Sequence, residues 1–207
     1  MKLFKDRVRK TAKIYNEIAD ELKKALDGGP EELKKLLIPD GAKHREHNAD
    51  RSGCSGVKSG RVTEKRICRC MFYNNSGSCS SHCPLKDKFL LEAGRYKVTD
   101  YEVPAYYSSK DIGEIDLIIS DGKKQYATEV KPKKGNSETL LRMISEILTY
   151  TVGYNGYENA IAFFEGSPQQ TEYENIGAKT EEIIEKADIK VFMFVESNGK
   201  YKILRIR

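Results

Sequence analysis

The chain has 207 residues, of which 39% are apolar and 32% are charged, and it has no tryptophan. This composition argues against an intrinsically disordered chain, and no apolar run approaches the roughly 20 residues that cross a bilayer. The start MKLFKDRVRK also lacks the apolar stretch of a signal peptide, so we expect a cytoplasmic protein without a membrane anchor.

The net charge of +5 is unevenly distributed. Residues 1–66 carry 17 Lys and Arg against 11 Asp and Glu, whereas residues 67–207 carry 19 against 20. A basic front third beside a neutral remainder favours a polyanion partner such as nucleic acid. From charge alone, a solvated lysine-rich surface explains the excess equally well.

The first 38 residues are predicted to form a helical hairpin. Apolar side chains recur at close to a 3.6-residue period between residues 6 and 28, which is typical of an amphipathic helix. Two glycines then supply a stop, and Pro30 suits the first turn of a second short helix over residues 31–38. We therefore treat residues 1–38 as the first unit of the chain.

Residues 39–84 are predicted to be a basic, polar and cysteine-rich unit. From Pro39 to Arg66 large apolar residues are almost absent, which is typical of a linker or of a loop that nucleic acid orders. Four cysteines then fall within sixteen residues: Cys68, Cys70, Cys79 and Cys83. The odd total of five cysteines argues against a disulfide framework in a cytoplasmic chain. Four neighbouring thiolates are a usual shell for structural zinc, which would also replace the core that this stretch lacks.

The sequence does not decide which metal these cysteines would bind. Their spacing also resembles that of the CDGSH class of 2Fe-2S proteins, although Cys83 stands where that class has a histidine and His82 comes one residue earlier. We therefore expect zinc or an iron-sulfur cluster in a small metal-binding knuckle, with free structural cysteines as the alternative. The loop residues His44, His47 and Cys54 are either further ligands or merely exposed.

Residues 85–207 alternate between strand-like and helix-like runs, which predicts an α/β core with a mixed sheet flanked by helices. A short helix is predicted over residues 85–94. The predicted strands cover residues 98–107, 114–120, 125–131, 160–164, 190–196 and 201–206, and the further helices cover residues 137–151 and 180–187.

The dipeptide Asp121-Gly122 separates two apolar runs, which indicates a β-hairpin with a two-residue type I′ turn. In such a hairpin Glu114 faces Glu129, and Asp116 faces Ala127. Because successive side chains alternate between the faces of a strand, four polar residues emerge on the same side of the sheet. These residues are Glu114, Asp116, Glu129 and Lys131.

Asp116 and Glu129 then lie within diagonal reach, where two carboxylates repel unless a cation lies between them. Mg²⁺ prefers hard oxygen ligands and keeps several waters, so two carboxylates and a phosphate oxygen make an adequate site. Such an ion activates water, and Lys131 is placed to stabilise charge on the phosphate during phosphodiester hydrolysis. Lys133 and Lys134 follow directly and suit phosphate.

A solvated hairpin with a polar outer face is the alternative, since antiparallel strands ordinarily alternate apolar and polar residues. The unbroken run Leu117, Ile118 and Ile119 argues against it, because apolar side chains on both faces are typical of a central strand. We therefore expect Asp116 to lie away from an open surface.

The segment Gly113–Asp116 (GEID), followed after twelve residues by Glu129–Lys131 (EVK), resembles the core motif of the PD-(D/E)xK nuclease superfamily. Ile115 stands where the motif has its proline. The resemblance covers residues 85–207 and implies a restriction-endonuclease-like fold. It further implies that Asp116 and Glu129 hold Mg²⁺ or Mn²⁺ and that Lys131 is the catalytic lysine.

Two weaker similarities extend the resemblance. RecB-type members of the superfamily carry a Gln-x-x-x-Tyr motif on the helix that follows the hairpin, and Glu146 to Tyr150 is similar, with Glu in place of Gln. The superfamily also often places an acid on the helix before the sheet, a position that Glu92 is predicted to occupy.

The sequence therefore predicts a magnesium-dependent nuclease that acts on DNA, with a homodimer expected if the enzyme cuts both strands. A nucleic-acid-binding protein that has the nuclease fold without the activity is a second hypothesis. A zinc or iron-sulfur regulatory module is a third.

Overall fold

The computed structural model describes most of the chain, including every predicted catalytic residue: residues 3–8, 11–43, 54, 56, 60, 62–77, 79–106, 113–134, 138–154 and 156–207. His44 and His47 lie outside the described residues, so their predicted alternatives stay open. Within the described ranges, no helix is long and apolar enough to span a membrane.

Seven strands form one mixed sheet in the part of the chain that the structure describes. They are β1 (Leu90–Leu91), β2 (Lys97–Pro104), β3 (Glu114–Ser120), β4 (Gln125–Lys131), β5 (Glu158–Phe164), β6 (Lys190–Ser197) and β7 (Lys200–Arg205). Their order is β1-β7-β6-β5-β4-β3-β2. Strands β4, β5 and β6 run parallel, β1 is parallel to β7, and the remaining neighbours are antiparallel.

Helices cover both faces of this sheet, which confirms the predicted α/β class. They are a 3-10 helix (Phe4–Arg7), α1 (Ala12–Asp27), α2 (Pro30–Leu37), α3 (Glu64–Ser76), α4 (Leu140–Thr151), α5 (Pro168–Glu174) and α6 (Ala178–Lys186). Side chains of α1, α2, α4 and α6 share one apolar cluster with Ile118 and Ile161. Side chains of α3 share a second cluster with Leu117 and Ala160, whose side chains point to the opposite face.

The two N-terminal helices have the predicted order, but α1 begins at Ala12, six residues later than predicted, and a separate 3-10 helix precedes it. The helices do not have a core of their own, because Leu22 and Leu37 belong to the same buried cluster as Ile147 of α4. Helices α1 and α2 therefore pack in the core of the sheet.

Between residues 64 and 94 one helix was not predicted and one predicted helix was wrong. The first part of the cysteine-rich segment is the helix α3, whose Ile67 and Met71 are buried against the sheet. The helix predicted over residues 85–94 is instead a series of turns that leads into β1. Asp87 and Phe89 have φ angles of 61° and 60°, which a helix does not accommodate.

The hairpin between β3 and β4 has a four-residue turn, so the predicted two-residue turn was wrong. Asp121 Oδ1 accepts hydrogen bonds from the amides of Lys123 at 3.0 Å and Lys124 at 2.9 Å, and these bonds stabilise the longer turn. Leu117 pairs with Thr128, which shifts the register by two residues. A shift of two leaves every side chain on its predicted face, and it brings Asp116 level with Glu129.

Candidate metal centre

Asp116 lies on β3 near the end remote from the hairpin turn and is only 8% exposed. Its Oδ2 accepts a hydrogen bond from the backbone N–H of Val130 at 2.8 Å, so the carboxylate is fixed against the neighbouring strand. Burial raises the pKa of Asp116 to about 7, and the nearby charge of Glu64 adds to the rise. This carboxyl therefore carries a proton easily unless a cation is present.

Glu129 lies beside it on β4 and is 3% exposed. One carboxylate oxygen, Oε1, is 2.5 Å from Lys131 Nζ, whereas no donor reaches the buried Oε2, and the Glu146 carboxyl lies within hydrogen-bonding reach of Glu129. Burial raises the pKa of Glu129 well above its usual value, and the charge of Asp116 raises it further. A buried carboxylate oxygen that lacks a donor is costly, and either a proton or a metal ion relieves the cost.

The ammonium group of Lys131 is surrounded by acids and is almost fully buried. Its Nζ lies 2.5 Å from Glu129, 3.0 Å from Glu138, 3.2 Å from Glu64 and 3.4 Å from Glu146. Burial alone would lower the pKa of Lys131, but the carboxylates of Glu129 and Glu146 outweigh burial and hold the pKa well above its usual value. Lys131 is therefore charged at physiological pH.

Glu64 reaches this group from the first turn of α3. The helix begins there because Thr63 caps it, accepting a hydrogen bond from the Arg66 amide at 3.4 Å, and because Ile67 and Met71 bury one helical face. Burial raises the pKa of Glu64 as well, although the carboxyl is less enclosed than that of Glu129. Glu64 therefore lies on the solvent side of the buried carboxylates of Asp116 and Glu129.

Three of these acids form a set that has the shape of a cation site. One carboxylate oxygen from each of Glu64, Asp116 and Glu129 lies within 4.8 Å of the others. Three hard oxygen donors this close are the ligands that Mg²⁺, Mn²⁺ or Ca²⁺ prefer. The donor set and the unpartnered Oε2 of Glu129 together fit a divalent cation.

The cluster as a whole has more acids than bases. Its five carboxyl groups are those of Glu64, Asp116, Glu129, Glu138 and Glu146, and its enclosed cations are Lys131 and Arg142. Arg142 contacts Glu146 at 3.0 Å and Glu138 at 3.2 Å. Burial would raise the pKa of Glu146, but Lys131, a hydrogen bond with Glu129 and Arg142 together outweigh burial and lower it. The acids of the cluster with raised pKa values are therefore Asp116, Glu129 and Glu64.

Tyr150 closes the apolar side of the cluster. Its hydroxyl accepts a hydrogen bond from the buried Lys5 Nζ at 3.1 Å, and burial raises the pKa of Tyr150 far above its usual value. Gly113 packs directly against the ring, because a Cβ at that position would lie 2.6 Å from the Tyr150 hydroxyl. The N-terminal 3-10 helix thus contributes a cation to the wall of the site.

The structure brings together five residues that the sequence singled out: Asp116, Glu129, Lys131, Glu146 and Tyr150. It does not bring Glu92 to them, since Glu92 follows β1 at the opposite edge of the sheet, where its N–H donates to Tyr201 O. Sequence reasoning missed Glu64, although a threonine cap before an apolar helical pattern was a usable signal. Glu138, Arg142 and Lys5 carried no such signal.

The predicted set of four cysteine ligands is not arranged as expected. Cys68 and Cys70 are two residues apart on α3, so their side chains point to different sides of the helix. Cys68 is fully buried beside the acids, and Asp116 and Glu64 add to the effect of burial in raising its pKa. Cys70 instead belongs to a separate cluster with Cys83. His82 is exposed on the turn before Cys83.

No protein-family model matches the chain, and no curated protein matches it. Among solved structures, SfsA of Pyrococcus furiosus in complex with Ca²⁺ is similar over 54% of this chain and 53% of that chain. The sequence identity is 15%, and the TM-score is 0.28.

Proposed function

We propose that the chain is a divalent-cation-dependent nuclease that hydrolyses phosphodiester bonds of DNA. The observation that carries the proposal is the convergence of Glu64, Asp116 and Glu129 within 4.8 Å, beside a charged and buried Lys131. A protein that needed these acids only for stability would gain little from them, because burying several carboxylates around one lysine is costly.

The three acids would hold Mg²⁺ or Mn²⁺, and when bound the ion supplies an activated water and neutralises charge on a phosphate. The chain's own residues have separate tasks. Lys131 retains its proton and offers an N–H donor to a phosphate oxygen. Glu146 and Glu138 hold the lysine in position, and Arg142 holds both of them.

The substrate class follows from what surrounds the acids. Glu64 and Glu138 are the partly exposed members, with about three tenths of each side chain accessible, so the site opens on their side. Lys65 lies next to Glu64, and Lys133 and Lys134 follow Lys131, and all three lysines are exposed. Exposed lysines beside a carboxylate-held cation favour a phosphate backbone.

The test is incubation of the purified chain with circular and linear DNA, single- and double-stranded, in the presence and absence of Mg²⁺ or Mn²⁺. We expect cation-dependent cleavage that Asp116→Asn and Lys131→Met each reduce by about a hundredfold or more. Glu165→Gln, a change at an exposed acid, is the control and should cleave like the unchanged chain.

The same assay contradicts the proposal if neither cation elicits cleavage or if both variants cleave normally. Salt-dependent DNA binding without cleavage would favour the second hypothesis, a binding protein with the same fold. Loss of circles would indicate an endonuclease, whereas survival of circles while linear DNA disappears would indicate an enzyme that requires ends.

A further inference from the structure

A second group of metal-ligating side chains lies beside α3, apart from the carboxylates. None of the five cysteines is in a disulfide, and four of them have another cysteine as a neighbour. These four are Cys54, Cys70, Cys79 and Cys83. They do not coincide with the four that sequence spacing indicated, because Cys54 takes the place of Cys68.

Backbone pairing holds two of the four together. Cys54 and Cys79 form an isolated parallel β-bridge, although they are far apart in the sequence. The Ser80 N–H donates to Cys54 O at 3.2 Å and thereby continues that contact. Two thiols are thus placed side by side by main-chain hydrogen bonds rather than by chance side-chain packing.

Side-chain packing adds the other two. Cys70 and Cys83 are buried together with Leu85, and Cys79 packs against them. The turn at residues 80–83 is closed by the Cys83 N–H, which donates to Ser80 O at 3.1 Å. A Cβ at Gly56 would lie 3.2 Å from Cys83 Cβ, so Cys83 also lies against the segment that carries Cys54.

Hydrogen-bond donors are directed at the sulfur of Cys54. The Gly56 N–H donates to Cys54 Sγ at 3.3 Å, and the guanidinium of Arg69 is also hydrogen-bonded to Cys54. Donors of this kind stabilise a thiolate and are a common outer shell of thiolate metal sites.

We propose that Cys54, Cys70, Cys79 and Cys83 are the thiolate ligands of one metal centre, and that Cys68 is not a ligand. The centre ties the segment around Cys54 to α3 and to the turn before β1. It rests on the geometry of these thiols alone and does not depend on the proposed nuclease activity.

Soft thiolate ligands select zinc or an iron-sulfur cluster. Four sulfurs around one zinc ion, each at about 2.3 Å, lie about 4 Å from one another. Among the described residues, the set of three or more ligands that converges within 4.8 Å includes no cysteine. The sulfurs therefore have to move closer together to bind one zinc ion, and metal analysis decides between zinc and a cluster.

The test is metal analysis of the chain expressed with iron and zinc in the medium and purified without oxygen. Zinc, iron and acid-labile sulfide are measured per chain, together with the visible absorption spectrum. We expect a stoichiometric centre in the unchanged chain and in Cys68→Ala. Cys54→Ser and Cys79→Ser should lower the metal content about tenfold or more. Iron with sulfide identifies a cluster, one zinc per chain identifies a single ion, and both results support four-thiolate ligation.

Cys79 is only half-buried, so Cys79→Ser keeps the test informative if Cys54→Ser folds poorly. Circular dichroism verifies that each variant is folded before its metal is counted. The proposal is overturned if the unchanged chain carries no metal, or if an intact mass lower by two hydrogens indicates a disulfide in its place. Equal metal loss in Cys68→Ala and Cys54→Ser would also overturn it.

Discussion

Lys131 explains how five acids are held in one small volume. Its ammonium contacts four carboxylates, yet one cation balances only one negative charge. Arg142 balances another, on the side of Glu138 and Glu146. The carboxyl groups with raised pKa values are those of Glu64, Asp116 and Glu129, because burial disfavours their charged forms more than Lys131 stabilises them. The same three residues supply the converging oxygens, so pKa and distance indicate the same ligands.

Glu64 and Glu92 provide a matched test of this assignment. Glu64→Gln removes one of the three converging carboxylates and should weaken Mn²⁺ binding about tenfold or more, because each charged ligand contributes to affinity. Glu92→Gln makes the same chemical change at the opposite edge of the sheet and should leave Mn²⁺ affinity unchanged. Calorimetric titration measures both. The reverse order of effects would restore Glu92 as the third acid.

Cation affinity should depend on pH. Asp116, with a pKa of about 7, and Glu129, with a higher than usual pKa, must lose their protons to bind a cation, so raising the pH favours binding. We expect the Mn²⁺ dissociation constant to fall about fivefold or more between pH 6 and pH 7 and to fall further toward pH 8. Titrations at pH 6, 7 and 8 test this. A dissociation constant that does not change with pH would show that binding displaces no protons from these acids.

At the level of elements, the hairpin of β3 and β4 carries most of the site residues. This hairpin was predictable because local sequence patterns specify it. The apolar runs and the Asp-Gly dipeptide predicted both strands with the observed bounds, and the alternation of side chains predicted the face. The turn length was wrong, because hydrogen bonds from two amides to Asp121 favour a four-residue turn. An error of two residues in the register leaves each side chain on the same face of the sheet, so the predicted grouping of the site residues was still correct.

Elements that depend on long-range contacts were not predictable in this way. Strand β1 has two residues and exists because β7 pairs with it from the end of the chain. The helix α3 was hidden in a polar, cysteine-rich stretch, and the sheet rather than its own composition stabilises it. Lys5 reaches Tyr150 across 145 positions of sequence. No local pattern specifies such contacts.

Alanine substitutions at Gly113 and Gly122 distinguish the cost of backbone strain from the cost of a steric contact. Both have positive φ angles, 106° and 85°, so alanine at either position costs about 1 kcal/mol or more. At Gly113 the new Cβ would also lie 2.6 Å from the Tyr150 hydroxyl, whereas at Gly122 nothing lies within 4 Å. Gly113→Ala should therefore lower the free energy of unfolding more than Gly122→Ala, by an additional ~1–3 kcal/mol, and should also lower the melting temperature more. Equal melting temperatures would argue against the contact.

For the molecule as a whole, one apolar core joins the N-terminal helices, α4 and the sheet, so the acids are buried in a shared structure. The folded pKa values of Asp116 and Glu129 exceed those of the unfolded chain, so the folded state binds more protons above about pH 4. The free energy of unfolding of cation-free protein must then fall as the pH rises toward about 7. Glu146 has a lowered pKa and acts in the opposite direction, at more acidic pH.

Thermal melts measure this consequence. Cation-free protein should melt at a lower temperature at pH 7 than at pH 5, and added Mg²⁺ should raise the melting temperature more at pH 7 than at pH 5. Asp116→Asn should reduce the difference between the two pH values. A melting temperature that rises from pH 5 to pH 7 without cations would contradict the raised pKa values.

The most direct test of the central claim is calorimetric titration of Mn²⁺ into the unchanged chain and into Asp116→Asn at pH 7.5. The geometry of Glu64, Asp116 and Glu129 predicts one saturable site per chain, weakened about tenfold or more in the variant. Absence of saturable binding, or equal affinity in the two proteins, would contradict the assignment of these three carboxylates to a cation.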